Sequence, residues 1–220
     1  HTRIGAQPPS TWKDAHTCLA HQSTTAVPGS ANNRVIHDAE SGLTITADAR
    51  LDNREELLDI FDLQGFPRQR TCACELILRA FQKWGADCPQ HLLGDFAFAI
   101  WDQRKQQLYA ARDAFGVRPL YYHAGGEQLI FASDLKAVLA ADGVPKEPDA
   151  GCFAAILGWD NPQDTDLSRT SWSAVRRLPP GHTLTHVNGR VTTSAWWKPE
   201  DIGNHKRGHS TFPNKYNVPF

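Results

Sequence analysis

The chain has 220 residues, of which 40% are hydrophobic and 10% aromatic, so it is long enough and apolar enough for one packed core. Its 23 basic and 24 acidic residues nearly cancel, which argues against a nucleic-acid-binding patch or a polybasic membrane anchor. No apolar run reaches the ~18 residues that a membrane-spanning helix needs. We therefore expect a globular protein with no nucleic-acid partner and no membrane partner.

The first half of the chain predicts a strand over residues 43–47, a short helix over 54–58 and a longer amphipathic helix. In the longer helix, the apolar residues at positions 76, 77, 80, 81 and 84 share one face. Thr71 can act as its N-cap, and Gly85 is the expected stop signal.

The second half changes from a period of 3.6 to a period of 2. Residues 96–101 are apolar on both faces, which predicts a strand covered on both sides, as in a layered sandwich. Further strands are expected over 108–111, 120–122 and 128–132, followed by a helix capped by Ser133 and a short helix over 152–157. Asn188-Gly189 predicts a tight hairpin between strands over 182–187 and 190–195. This order lacks a βαβ rhythm and favours an α+β fold.

The five cysteines do not suggest a disulfide framework, because their number is odd. Cys72-x-Cys74 and Cys88-x-x-His91 could hold a soft metal, but they bracket the long helix and lie roughly 15 Å apart at 1.5 Å per residue. We therefore expect buried core thiols and no metal site.

Several runs of residues, in this order, resemble one known family. They are G-D-F-A-F-A-I-W-D at 94–102, A-R-D-A-F-G-V-R-P-L-Y-Y at 111–122, F-A-S-D-L-K-A at 131–137 and R-L-P-P-G-H at 177–182. They resemble the N-terminal glutamine-hydrolysing domain of asparagine synthetases and their relatives, a class II glutamine amidotransferase domain. The resemblance covers about residues 1–200.

The resemblance implies a four-layer αββα sandwich of the N-terminal-nucleophile hydrolase type. In the family, a Cys at position 1 attacks the side-chain amide of glutamine, and the released ammonia passes to a C-terminal synthetase domain that uses ATP and magnesium. Glutamine and that synthetase domain are therefore the expected partners, in the cytoplasm. No cofactor is expected in this chain, because no S-G-G-x-D-S loop for ATP occurs in it.

The resemblance also places the glutamine pocket. Arg3, in His1-Thr2-Arg3-Ile4, matches the arginine that holds the α-carboxylate, although an ordinary surface arginine is the alternative. The run that begins with Asp48, Ala49 and Arg50 matches N-G-E in the family, so Asp48 stands where an Asn donates to the oxyanion. A carboxylate accepts hydrogen bonds there and cannot donate them.

The pocket differs from the family at further positions. Cys72-Ala73-Cys74-Glu75 matches S-D-x-E, so Ala73 stands where an Asp holds the substrate ammonium. No Cys opens the chain, so we assign no catalytic residue and expect the 220-residue chain alone to be inactive. We expect the sandwich to lack its first strand. Residues 201–220 are expected to be a linker or stub before an absent synthetase domain.

Two functions remain open at this point. One is a glutaminase domain that supplies ammonia for the amidation of aspartate or another carboxylate. The other is a degenerate, non-catalytic scaffold domain of an adenylating ligase. The run D-A-R-L-D-N-R-x-E-L at 48–57 is similar to a divergent branch of the family that includes lasso-peptide macrocyclases, which favours the second.

Overall fold

Antiparallel strands dominate the computed structural model, which describes residues 9–22, 34–61, 71–158 and 166–201. The strands are β1 (Ser10–Lys13), β2 (Cys18–His21), β3 (Ile36–Asp38), β4 (Leu43–Leu51), β5 (Gly94–Asp102), β6 (Gln107–Arg112), β7 (Tyr121–Gly125), β8 (Gln128–Ala132), β9 (Arg176–Arg177), β10 (His182–Val187) and β11 (Arg190–Ala195). The helices are α1 (Arg54–Ile60), α2 (Ala73–Trp84), α3 (Leu135–Ala140) and α4 (Ala150–Leu157), with 3-10 turns at Gly85–His91 and Pro199–Asp201.

The predicted elements are present, but two predicted helix caps are wrong by one residue. Cys72, in extended conformation, is the N-cap of α2, and its sulfur accepts the backbone N–H of Glu75 in place of a Thr71 hydroxyl. Asp134 caps α3 because its carboxylate accepts the N–H of Lys136 at 2.9 Å. Gly85 ends α2 with a φ of 59°, as predicted.

Six strands form the larger sheet in the order β11-β10-β6-β5-β4-β3, and neighbouring strands in it are antiparallel. A second sheet has the order β8-β7-β9, and β1 pairs with β2 in a separate hairpin. The Asn188-Gly189 turn joins β10 to β11 with Val187 opposite Arg190, as the sequence predicts.

Two core layers lie on opposite faces of the larger sheet. Helices α1 and α2 cover one face, and we call that layer the outer core; its members include Ile45, Ala47, Ala49, Leu57, Ala73, Leu76, Ile77, Phe96, Phe98 and Ile100. The other face packs against the β1–β2 hairpin and the second sheet, and we call this layer the inner core; its members include Leu19, Ala97, Ala99, Trp101, Leu108, Leu120, Tyr122, Leu178 and Leu184. Strand β5 therefore contributes alternate residues to both layers, which confirms its prediction as a strand covered on both sides.

Helix α3 covers the far face of the second sheet. Val138 is fully buried there against Tyr121, Ile130 and Ala132 of β7 and β8. The sequence of layers is thus helices, sheet, sheet, helix, which confirms the four-layer αββα sandwich. In the described ranges, no helix combines the length and the apolar character that crossing a membrane requires.

Candidate functional site

Strand β4 sends alternate residues to opposite faces of the larger sheet. Ala49 is buried in the outer core. Thr46 is on the other face, where its hydroxyl donates to the carbonyl oxygen of Ala20 in β2 at 3.3 Å. Asp48 and Arg50 share the face of Thr46, so they lie on the side that meets the β1–β2 hairpin and the second sheet.

Asp48 lies between two nitrogen-bearing side chains. Arg118 Nη1 is 3.4 Å from Asp48 Oδ1, and the two side chains are 23% and 40% exposed, respectively. Burial lowers the pKa of His21, on β2, below its ordinary value, and the negative charge of Asp48 opposes that shift. The carboxylate at position 48 is thus partly neutralised by an arginine that is distant in sequence.

Arg50 points to a more open part of the same face. Its Nη1 lies 2.7 Å from Asp52 Oδ1, and its Nη2 lies 3.2 Å from Asp95 Oδ2 on the neighbouring strand β5. Because all three side chains are partly exposed, this network orients Arg50 more than it stabilises the fold.

Ala73 is the first residue of α2 and is buried in the outer core together with Ala49. The next residue of α2, Cys74, contacts β4 directly, because its Sγ lies 3.9 Å from the carbonyl oxygen of Ala47. The start of α2 therefore packs against β4 one residue before Asp48. The structure brings Ala49 and Ala73 into one layer, while Asp48 and Arg50 lie on the opposite face of β4 in two separate ion-pair networks.

A tight turn after β6 carries Arg118 to Asp48. The carboxylate of Asp113, only 1% exposed, accepts the N–H groups of Phe115 at 3.1 Å, Val117 at 2.9 Å and Arg118 at 3.0 Å. A buried carboxylate with this many donors is fully engaged by the turn itself. Asp113 is therefore assigned a structural role.

Arg112 also stabilises the turn after β6, through hydrogen bonds from its side chain to backbone carbonyl oxygens. Its guanidinium donates to the carbonyl oxygens of Gly116, of Arg118 at 2.6 Å and of Leu178 at 2.7 Å. Leu178 in turn donates its N–H to the carbonyl oxygen of Leu120 at 2.8 Å. The runs at 111–122 and 177–182 are thus joined into one unit by a single buried arginine.

Two predictions fall outside the described ranges. Arg3, expected at the α-carboxylate of glutamine, lies in residues 1–8, and almost all of the predicted 201–220 segment lies beyond residue 201. The structure therefore places Asp48, Ala49, Arg50 and Ala73 but not Arg3.

Neither His21 nor Arg118 can be singled out as a site residue from the amino-acid sequence. Residue 118 lies within a recognised motif, but its side chain meets Asp48 only because the turn folds back over β4. The one usable signal was the alternation of β4, which places position 48 on the inner face.

The cysteines form no metal-binding cluster with other side chains in the part of the chain that the structure describes. Within residues 9–22, 34–61, 71–158 and 166–201, no group of three or more His, Cys, Asp or Glu side chains is arranged to hold a metal ion. All five cysteines are free thiols.

Comparison with known protein families gives one decisive match. The profile of the glutamine amidotransferase domain matches residues 3–197, nearly the whole chain. The chain belongs to the glutamine amidotransferase domain family. This amidotransferase domain thus includes strands β1 to β11 and every residue of the candidate site.

Relatives of this amidotransferase domain are much longer proteins. Asparagine synthetase [glutamine-hydrolyzing] 3 of Bacillus subtilis is 28% identical over 201 residues, which are 90% of this chain and 32% of that protein. Amidase chry2 of Gibberella zeae is 30% identical over 188 residues, or 83% of this chain and 26% of that protein. The chain therefore spans about a third or less of the length of these two relatives.

A solved structure supports the architecture. The glutamine phosphoribosylpyrophosphate amidotransferase of B. subtilis aligns with 87% of this chain and 43% of its own, with a TM-score of 0.55 and 15% identity. This similarity agrees with the layered arrangement of helices and antiparallel sheets described above. The domain has the N-terminal-nucleophile hydrolase fold.

Proposed function

We propose that this domain is the glutaminase part of an asparagine-synthetase-like enzyme. In that enzyme it hydrolyses glutamine and supplies ammonia for the ATP-dependent amidation of aspartate or another carboxylate. The observation that carries this proposal is the family match over residues 3–197, which includes the predicted glutamine pocket. The glutamine-hydrolysing synthetase of B. subtilis among the relatives supports the substrate.

The proposal assigns ATP and magnesium to a part of the protein outside this domain. The relatives extend well beyond the matched region, which leaves room for a synthetase domain. A cytoplasmic location belongs to the same proposal, since all five cysteines are free thiols, as is usual in a reducing compartment.

The residues at the predicted pocket positions determine how well glutamine should bind and how well the oxyanion should be stabilised. An oxyanion is stabilised by hydrogen-bond donors, and the Asp48 carboxylate is an acceptor. The Arg118 guanidinium, 3.4 Å from the Asp48 carboxylate, partly neutralises its negative charge. Asp48 itself still cannot donate a hydrogen bond to the oxyanion. Ala73 offers no charge to a substrate ammonium. We therefore expect weak glutamine binding by the domain as it stands.

The same two residues favour a second candidate function. A domain that lacks both the oxyanion donor and the carboxylate for the substrate ammonium can serve as a non-catalytic scaffold for an adenylating ligase domain. In that case the protein would take its amino group or nucleophile from another source and would not consume glutamine.

Restoring the two polar groups distinguishes these functions. The variant Asp48→Asn with Ala73→Asp restores the residue types that the family resemblance assigns to the oxyanion and to the substrate ammonium, and it places the second of them at a position that is buried in the outer core. A hydrogen bond to a charged group is worth about 1.5–3 kcal/mol, so we expect glutamine to bind about tenfold more tightly or better. Isothermal titration with glutamine measures this, and a thermal melt checks that the buried Asp at position 73 still allows folding.

Asp48→Asn with Ala73→Asn is the matched control, because Asn has the same size as Asp without the charge. It should recover less of the affinity than Asp48→Asn with Ala73→Asp. Ammonia release from glutamine by the intact protein completes the test. Turnover of glutamine coupled to product supports the glutaminase. Product formation that uses added ammonia and leaves glutamine intact, with no gain in affinity in the double variant, supports the scaffold.

A further inference from the structure

A cleft of about 510 Å³ lies on the face of the larger sheet that carries the outer core. Two rows of paired residues cross the sheet beneath it; the first is Ile100, Tyr109 and Thr185, and the second is Leu43, Asp102 and Gln107. The volume falls within the roughly 300–1,000 Å³ of small-molecule sites. Because Asp48 lies on the opposite face of the sheet, this cleft is separate from the candidate glutamine pocket.

The cleft exists because the helices cover only part of the sheet. Helix α2 ends at Trp84, and Gly85 turns the chain away from the sheet. Among the described residues that form the outer core, none belongs to β10 or β11. The cleft therefore lies where the covered part of the sheet meets the uncovered part, with Phe81 and Gln82 from the last turn of α2 among its lining residues.

The deep part of the cleft is apolar and aromatic. The rings of Phe81 and Tyr109 lie 5.1 Å apart between centroids and are tilted by 37°. The Tyr109 hydroxyl donates to the carbonyl oxygen of Ala86 at 2.8 Å, so the phenol ring offers its apolar surface and not its hydroxyl. Leu43 and Ile100 complete the apolar lining. Such a surface favours a ligand with an aromatic body.

Positive charge is in excess at the cleft. Arg104 and Lys105 both line it, together with one carboxylate, Asp102. The Asp102 carboxylate accepts the backbone N–H groups of both residues at 3.0 Å, so it is committed to the turn between β5 and β6. The Arg104 guanidinium is held in place because it donates to the carbonyl oxygen of Glu40. Two cations against one engaged carboxylate favour a negatively charged ligand.

Two polar side chains in the cleft are uncommitted. In the part of the chain that the structure describes, neither the Gln107 amide nor the Thr185 hydroxyl hydrogen-bonds to another protein group. Both can exchange hydrogen bonds with a bound molecule, and the amide can donate to an anionic oxygen. The cleft thus combines an apolar floor, a fixed positive charge and free hydrogen-bonding groups, which is the usual composition of a ligand site.

We propose that this cleft is a second ligand site, which binds a small organic anion with an aromatic body. The ring system packs on Phe81 and Tyr109, and its carboxylate or sulfonate faces Lys105 and Arg104. The ligand differs in class from glutamine, because it has an aromatic body and needs no ammonium group. This site does not depend on glutamine binding or hydrolysis, so it can be tested on the 220-residue chain.

Two fluorescent probes with the same ring system test the recognition of charge. 8-Anilinonaphthalene-1-sulfonate is an anion, and N-phenyl-1-naphthylamine is its neutral counterpart. Lys105 is 70% exposed, so Lys105→Gln removes one charge without disturbing the core. We expect this variant to bind the sulfonate about threefold more weakly and the neutral probe as well as the wild type does.

Lys136→Gln is the matched control, because it removes an exposed lysine from α3, on the far side of the sandwich. It should bind both probes as the wild type does. Unchanged binding of the sulfonate by Lys105→Gln, or an equal loss for both probes, would overturn the proposal.

Filling the cleft tests its location. In Thr185→Trp, the indole occupies the space over Tyr109, so binding of the sulfonate should weaken about tenfold or more. Thr193→Trp adds the same side chain to the neighbouring strand, opposite Leu184 and on the other face of the sheet, and should bind normally. A thermal melt confirms that both variants are folded.

Amide chemical shifts of the wild-type chain locate the probe without any substitution. Titration with 8-anilinonaphthalene-1-sulfonate should shift the resonances of Lys105, Gln107 and Thr185 most. Shifts centred instead on the exposed Phe115 or Leu157 would show that the probe binds elsewhere and would refute the proposal.

Discussion

A buried guanidinium is costly unless its donors are paired. Arg112 is only 5% exposed and donates to three backbone carbonyl oxygens, while Asp113 accepts from three backbone N–H groups. The charged residues at the centre of the longest motif thus build a turn and are not available to a substrate. The turn matters to the site because it delivers Arg118 to Asp48.

The pKa of His21 tests the placement of Asp48. Burial lowers this pKa, and the Asp48 carboxylate limits the decrease because it stabilises the imidazolium. Asp48→Asn should therefore lower the pKa of His21 further. A titration of the imidazole resonances by NMR measures it, with the resonance assigned by His21→Gln.

Asp134→Asn is the control for that titration, because it removes one carboxylate from the cap of α3 and retains a good N-cap. It should leave the His21 titration curve where it is in the wild type. An identical His21 pKa in Asp48→Asn and the wild type would contradict the arrangement of β2 against β4.

At the scale of elements, local chemistry explains what sequence analysis could and could not predict. The Asn188-Gly189 hairpin and the Gly85 end of α2 depend on backbone conformations that few residues other than Gly and Asn adopt, so they are readable from the sequence. The observed N-caps of α2 and α3 each lie one residue after the predicted ones, because Thr71 and Ser133 each stand beside a second residue that can accept a backbone N–H. Only the geometry of the folded chain selects between such neighbours.

Two glycines offer a matched test of the turn that joins the motif runs. Gly181 and Gly126 have φ values of 64° and 60°, but a Cβ at Gly181 would lie 2.6 Å from the carbonyl oxygen of Trp197, whereas one at Gly126 meets nothing within 4 Å. Gly126→Ala should cost about 1 kcal/mol of unfolding free energy from the left-handed conformation alone. Gly181→Ala should cost about 3 kcal/mol, because backbone atoms must also shift.

Urea denaturation of the two variants gives both free energies. The contrast between them isolates steric crowding, since the conformational penalty is common to both. Equal losses would mean that the segment around Trp197 yields easily, and that the run at 177–182 is not clamped by its neighbours.

At the scale of the whole molecule, the layered sandwich could be inferred because β5 is apolar on both faces. That pattern has one ready explanation, a strand with a packed layer on each side. The site could be inferred only in part. Positions 48, 49, 50 and 73 follow from the alignment of motifs, but the Arg118–Asp48 pair joins residues far apart in sequence. No local pattern contains that contact, because it depends on how the turn after β6 lies over β4.

The position of β5 also determines how the molecule opens. This strand is hydrogen-bonded to β4 on one side and β6 on the other, and its residues from 96 to 102 are all buried. Its amide protons can exchange with solvent only when the entire sandwich comes apart, whereas the largely exposed edge strand β11 can fray alone. Hydrogen–deuterium exchange of β5 should therefore give the same free energy as urea unfolding, and faster exchange in β5 than in β11 would contradict this. Any ligand that stabilises or destabilises the whole domain can then be measured from that one strand.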